Sequence, residues 1–385
     1  MKVLFKKAIL FLIGILIVLG CYSINPNDKL LESNNPETGE TFESSFFGKK
    51  SITDGPYIFY ENDQVKVKWI YRNREVERTI KGDNFNIIKR KFGFEFKKAW
   101  IDQNKADSIN YIQNFSGVKN LIAISDVHGQ YEVFIKLLKE HGIIDKHFNW
   151  IFGKGHLVVL GDIMDRGPRV TETFWLIYKL EQQAKQAGGM VHFILGNHEL
   201  MVLNNDIRYI NEKYIESAQR MNTTYSQIYS ENSFLGKWLR KKPVVITIND
   251  MLFVHAGIST EFINKGFTVK DANSIFIHKI VGKSWDSILK DSTLSFMMDD
   301  KGPIWFRGYF IDNRLKESEI DSILHYFDKT RILVGHTSLP NITLLYHGKV
   351  FGIDSNIKEG DYGEVLIYEN GTFYRGTLLG GRIKF

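Results

Sequence analysis

From residue 118 onward, short apolar runs alternate with longer stretches whose apolar positions recur every three or four residues. Leu121–Ile124, Leu157–Leu160, Val191–Leu195 and Ile332–Val334 are runs of the first kind and predict buried strands. Tyr131–His141 and Thr171–Ala187 carry the helical period. Alternation of this kind predicts βαβ units with buried parallel strands. Val244–Val254 predicts a hairpin turning at Asn249-Asp250, and Asn370-Gly371 separates two further strand-like runs. The second half is therefore expected to be more antiparallel. Together these elements predict an α/β sandwich of two sheets with helices outside.

Upstream the pattern differs. Tyr57–Tyr60, Val65–Tyr71 and Val76–Ile80 are rich in β-branched and aromatic residues, with turn residues Glu61-Asn62-Asp63 and Arg72-Asn73-Arg74 between them. They predict a small antiparallel sheet ahead of the main domain. The expected plan is an export signal over 1–20, a flexible tether over 21–50, a β-rich region over 51–115 and the main domain over 118–385. The signal is read from Lys2, Lys6 and Lys7 followed by the apolar run Ala8–Leu19, which falls short of the roughly 20 residues of a spanning helix. Val18-Leu19-Gly20-Cys21 resembles a bacterial lipoprotein processing site. Cys21 is the only cysteine, so no intrachain disulfide can form. The expectation is an exported protein, lipid-anchored through Cys21 at the membrane of a bacterial cell envelope.

Composition changes this picture little. A hydrophobic share of 43% suffices for a sizeable core. The formal charge of +6 falls to +3 once the three leader lysines are removed. No charge block suits nucleic acid, and no such partner is expected.

The chemistry lies directly behind the strands. Ser125-Asp126-Val127-His128-Gly129 follows the first run, and Gly161-Asp162-Ile163-Met164-Asp165-Arg166-Gly167 the second. Gly196-Asn197-His198-Glu199 follows the third, His255-Ala256-Gly257 follows Met251–Val254, and Gly335-His336-Thr337 follows Ile332–Val334. Ligands gather at the carboxyl ends of strands in open α/β sheets, so five such ends point to one crevice. Aspartate and imidazole suit manganese, iron or zinc. A shared carboxylate can hold two such ions about 3.5–4 Å apart. The segment from Asp162 to Arg166 crowds two carboxylates and a guanidinium at one strand end, a costly arrangement without a charged ligand.

These five segments, in this order, resemble the calcineurin-like metallophosphoesterases, within them the phosphoprotein phosphatase branch, and there the bacterial Shewanella-like phosphatases. The resemblance runs from about Val118 to Gly363 and implies the two-sheet metallophosphoesterase sandwich. It implies that Asp126, His128 and Asp162 hold one divalent metal ion, and that Asp162 bridges to a second held by Asn197, His255 and His336. It implies that His198 is the general acid, oriented by Asp165, and that Arg166 binds phosphate oxygens. Arg307, within Pro303-Ile304-Trp305-Phe306-Arg307-Gly308, resembles the second phosphate-binding arginine. The implied reaction is direct attack of a metal-bridging hydroxide on a phosphate monoester, with phosphoprotein as a candidate substrate. Ser125 stands where many relatives have glycine. Phe351–Ser355 occupies about the place of the C-terminal recognition loop of eukaryotic protein phosphatases and does not match it.

Two other functions are consistent with parts of this pattern. One is a dinucleoside polyphosphate hydrolase, whose motifs are similar. The other is a non-catalytic, metal-binding envelope lipoprotein. Other polar residues are expected to be structural. His192 reads as a core histidine, and His141, His147, His156, His278, His325 and His347 as surface or loop residues. Glu199 reads either as a carboxylate that supports the ligand residues or, slightly favoured, as one that starts a helix, and Asp354 as a minor candidate for the crevice. Tyr209, Tyr214, Tyr225 and Tyr229 lie in an expected helical insertion that either caps the crevice or simply packs.

Overall fold

The computed structural model describes residues 51–61, 64–105, 109, 111–311 and 314–385. The leader run Ala8–Leu19, the tether and Cys21 lie outside the described residues, as do Asn62 and Asp63. Residues 51–385 form one compact unit.

Three strands open it: β1 (Asp54–Glu61), β2 (Gln64–Tyr71) and β3 (Arg74–Ile80). They form an antiparallel sheet in that order. Arg72 and Asn73 turn between β2 and β3 with φ of 48° and 66°, as a tight hairpin requires. The region is not wholly β: helices Asn86–Phe92 and Lys98–Lys105 follow. Phe85, Ile88, Trp100 and Ile101 are buried in these segments, so the helical period carried apolar side chains inward there.

The remaining strands are β4 (Asn114–Phe115), β5 (Asn120–Ile124), β6 (His156–Val159), β7 (Met190–Phe193), β8 (Val245–Ile248), β9 (Met251–Val254), β10 (Arg331–Val334), β11 (Thr343–Leu345), β12 (Val350–Gly352), β13 (Glu364–Glu369), β14 (Thr372–Thr377) and β15 (Arg382–Lys384). One sheet runs β15-β14-β13-β5-β6-β7 and the other β11-β12-β10-β9-β8-β4. β5, β6 and β7 are mutually parallel, and β10 is parallel to both β9 and β12. β4 pairs with β8 ahead of Val118, so the sheet begins earlier than the apolar pattern indicated.

The sheets pack face to face. Leu121 and Ala123 of β5, Val158 of β6, Phe253 of β9, Leu333 of β10 and Phe351 of β12 belong to one buried cluster between them. The intervening residues Ile122, Ile124, Leu157 and Val159 belong to a second buried cluster. Burial on both faces explains why these strands read as unbroken apolar runs.

The helix Val170–Gln186 buries Phe174, Trp175 and Tyr178. The N-terminal region packs on it. Phe96 lies 5.8 Å from the Trp175 ring and 5.0 Å from Phe234, and Trp175 Nε1 donates to the Pro56 carbonyl at 2.9 Å. Asp54 is buried but fully engaged: Tyr57 Oη donates to it at 2.5 Å and Thr171 Oγ1 at 3.2 Å, with Lys213 Nζ also at 3.2 Å.

Candidate metal centre

The five strand ends meet. Each parallel strand carries its backbone directly into the turn that holds the polar residues, and the turns are strained. Asp126, His128, Asp162, Asp165, Arg166 and His336 all have φ between 46° and 71°. Non-glycine residues avoid this region, at a cost of order 1–3 kcal/mol each, and such residues cluster at functional sites. Two glycines make room. A Cβ on Gly196 would strike the Asp162 carboxylate, and one on Gly335 the Ser125 hydroxyl. Ser125 itself donates to Asp126.

Asp162 lies at the centre. Its Oδ2 is 3.7 Å from His128 Nε2, 3.8 Å from His198 Nε2 and 3.4 Å from His255 Nε2. Two clusters of metal-ligating atoms share it: His128, Asp162 and His198, and Asp162, His255 and His336. Asp126, an expected ligand, stands outside both clusters and His198 takes its place in the first; Asp126 lies beside the second, its Oδ2 accepting the His336 backbone N–H at 2.9 Å. Asn197 joins through Oδ1, 2.9 Å from His255 Nε2. All six expected ligands are buried.

The imidazole tautomers define what is missing. His255 Nδ1 faces the Leu160 carbonyl at 2.6 Å and must donate to it. Its Nε2 then turns a lone pair toward Asn197 Oδ1 and Asp162 Oδ2, both acceptors. Turning over the Asn197 amide would satisfy one of these contacts, but the one to the Asp162 carboxylate needs a cation or an extra proton. Burial opposes a charge on His255, yet Asp162 and Asp126 outweigh it and lift its pKa to about 10. The proton occupies the electrostatic role of a cation. His128 Nδ1 likewise faces the Met164 carbonyl at 2.8 Å, leaving Nε2 free to ligate. His336 Nε2 is buried and has no hydrogen-bond partner among the described residues. Donors of these types, oriented by fixed partners and left open on one side, fit divalent metal.

The carboxylates divide: burial opposes charge on Asp162, but His255, His198 and His128 prevail and hold it well below its ordinary range, while its neighbours go the other way. Burial raises Asp126 well above its ordinary range, with Asp354 and Asp162 adding to the effect. Burial also raises Asp354, which accepts from Ser338 Oγ at 2.7 Å. Several carboxylates this close cannot all ionise without compensating cations.

His128 and His198 lie at similar distances from Asp162 but in different surroundings. Burial holds His128 neutral, with a pKa near 3, which suits a ligand. Burial also disfavours charge on His198, but Asp162 and the Asp165 hydrogen bond prevail and raise its pKa. His198 Nδ1 lies 2.6 Å from Asp165 Oδ2. This pair suits a proton donor.

Arg166 is exposed at the rim, 5.5 Å from the Tyr209 ring centre. Arg307 is half-buried and donates through one nitrogen to the His336 carbonyl at 3.0 Å and Thr337 Oγ1 at 3.2 Å.

Some residues differ from the sequence reading. Glu199 is more than a helix start. Its carboxylate accepts four backbone N–H groups, those of Asp162, Ile163, Met164 and Gly196, at 2.8–3.0 Å. It clamps two of the strand-end turns together. Asp354, the minor candidate, follows β12 closely enough to act electrostatically on Asp126; that strand is only three residues long, so its signal was weak. His141 is buried rather than at the surface, with Nε2 2.9 Å from the Thr377 carbonyl. His156 is half-buried and 2.9 Å from core residue His192. Of the insertion's tyrosines, Tyr214, Tyr225 and Tyr229 are packing residues, while Tyr209 faces the crevice 5.3 Å from the His198 ring.

A two-sheet α/β sandwich that gathers imidazole and carboxylate at its strand ends defines a metal-dependent hydrolase. The chain belongs to the calcineurin-like phosphoesterases, whose family model matches residues 119–340. It is a phosphatase-type hydrolase of that family. The crystal structure of a cold-active protein-tyrosine phosphatase from a psychrophilic Shewanella species superposes with a TM-score of 0.79 and 39% identity, covering 87% of this chain and 99% of that one. Shewanella-like protein phosphatase 1 of Plasmodium berghei is 29% identical over 260 residues, 65% of this chain and 70% of that protein. The symmetrical bis(5'-nucleosyl)-tetraphosphatase of Neisseria meningitidis is 30% identical over 138 residues, 35% of this chain and 42% of that protein.

Proposed function

We propose that this protein is a phosphomonoesterase acting on phosphoprotein, with phosphotyrosine among its substrates, and that it uses two divalent cations. The observation that carries the hydrolytic reading is the contact of His255 Nε2 with two acceptors beside the unpartnered His336 Nε2, which a cation would resolve. Likeness to a protein-tyrosine phosphatase over 87% of the chain supports the protein substrate.

In this reading Asp126, His128 and Asp162 hold one ion, and Asp162, Asn197, His255 and His336 the other. Manganese, iron and zinc all suit the donor set. Bound there, such ions supply a water acidified enough to attack phosphorus near neutral pH and offset the phosphate's charge. The chain's own residues do the rest. Arg166 and Arg307 spread planar donors over the phosphate oxygens. These contacts stabilise charge on the transferring group. His198, kept charged by Asp165, gives its Nε2 proton to the departing oxygen.

Reconstitution with manganese, zinc or iron, followed by turnover of phosphotyrosyl and phosphoseryl peptides, nitrophenyl phosphate and diadenosine tetraphosphate, tests this. Faster turnover of the dinucleotide than of either peptide would overturn the substrate class. A fully metal-loaded but inert protein would leave only the non-catalytic reading. On sequence grounds the proposal includes export and acylation at Cys21. A Cys21→Ser chain should then leave the membrane fraction.

A further inference from the structure

We infer that Tyr209 is the residue that selects aryl over alkyl phosphate esters, by forming an aromatic wall where the leaving group sits. This rests on the phosphomonoesterase reading above, in which His198 protonates the departing oxygen.

Tyr209 lies on the short connection between the helices Asn197–Leu203 and Glu212–Arg220. Its ring is 45% exposed, in a protein that buries most of its large aromatic side chains. Yet it is not a stray surface residue. Its ring centre is 5.3 Å from that of His198 and 5.5 Å from the Arg166 guanidinium carbon. The phosphate-side guanidinium and the leaving-group acid thus flank one open aromatic ring. On the proposed reading, a group leaving toward His198 departs next to this ring. A phenol would meet the ring with apolar and quadrupolar surface, whereas a serine alkoxide would present almost none.

The loop is built to hold that ring still. The Arg166 N–H donates to the Tyr209 carbonyl at 2.9 Å, and Asn211 Nδ2 donates back to the Arg166 carbonyl at 2.8 Å. Arg208 chelates Asp206 with three side-chain contacts of 2.7–3.1 Å, fixing the preceding residue. The grip on Arg166 is through the backbone. Removing the Tyr209 ring therefore leaves that grip in place and separates a substrate role from a scaffolding one.

The test compares metal-loaded wild type, Tyr209→Ala and Tyr209→Phe on two peptides of one sequence, phosphorylated on tyrosine or on serine. Tyr209→Ala should lower kcat/KM for the phosphotyrosyl peptide by roughly fivefold to tenfold, the size of one aromatic pair, and leave the phosphoseryl peptide within about twofold. Tyr209→Phe should behave as wild type on both. Inhibition constants give a second readout: phenylphosphonate should weaken in Tyr209→Ala and methylphosphonate should not. Equal losses on the two peptides, or equal weakening of the two phosphonates, would overturn the inference alone. Wild type that turns over neither peptide nor nitrophenyl phosphate would overturn the phosphomonoesterase reading and this inference with it.

Discussion

Two buried polar clusters, one at each end of the Pro168–Val170 turn, obey opposite rules. Around Asp54, Tyr57 and Thr171 donate to the carboxylate, Lys213 faces it, and Tyr214 Oη bonds the Val170 N–H and the Pro168 carbonyl. Around Asp162, six residues adopt positive φ, His336 Nε2 and Asp165 Oδ1 lack partners among the described residues, and acceptors face acceptors. The first cluster is structural and closed. The second is strained and open, and an aromatic seam lies beside the first. That seam stacks Phe94 and Phe234 on Trp175 at 5.2 and 5.4 Å and sets Tyr178 against Trp100 at 5.2 Å. Binding sites are expected where local rules are broken, and stability where they are kept.

The contrast can be broken from either side. The largest effect should come from His198→Ala, which should cut turnover of phosphotyrosyl or phosphoseryl peptides by roughly 10²–10⁴. Turnover of nitrophenyl phosphate should fall much less, because nitrophenolate leaves without a proton; equal losses would refute the acid role. Thermal melting should be little changed, because His198 belongs to the open cluster. Trp175→Ala should do the reverse. It should cost about 3–5 kcal/mol by denaturant titration, while kcat of the folded fraction stays near that of wild type. A large fall in kcat there would show that the seam tunes the site rather than merely supporting it.

Glu199→Gln sharpens the comparison. The amide keeps the shape, but its nitrogen cannot accept, so two of the four backbone hydrogen bonds are lost and the other two weaken, and metal affinity should fall roughly 10–100-fold by chelator competition. The smallest effect is a pH shift in Asp165→Asn. The Asp165 carboxylate helps raise His198, so its loss lowers the folded-state pKa. The acid is active when protonated, so the high-pH limb of kcat should move to lower pH. An unmoved or upward-shifted limb would assign that limb to another group.

Most of the sandwich was legible in the sequence because its strands are short, apolar and buried on both faces. The hairpins at Asn249-Asp250 and Asn370-Gly371 stand where their turn residues indicated, with Asn249 and Asn370 at φ of 54° and 47°. Strand β4 was missed because two residues carry no period. The helices over 86–105 were missed because the β-rich run before them set the expectation for the region. His141 looked exposed because it ends an amphipathic helix, and only the return of β14 over it supplies the Thr377 carbonyl.

What the sequence determined by itself was the kind of chemistry. Asp, His and Asn behind successive apolar runs mark a cation site because a strand's direction and the turn after it are local properties. Which of those side chains meet was decided by the tertiary structure alone. Asp126 and His336 are 210 residues apart and share one hydrogen bond. His128 and His198 hold similar places about Asp162 and differ only in what burial and Asp165 do to their charge. Tyr209 became a crevice residue because its loop is tied to Arg166, while its neighbours in the same insertion were drawn into the core. Sequence spacing carries no information about such distances. They follow from how two sheets and their helices pack, which is a property of the whole chain.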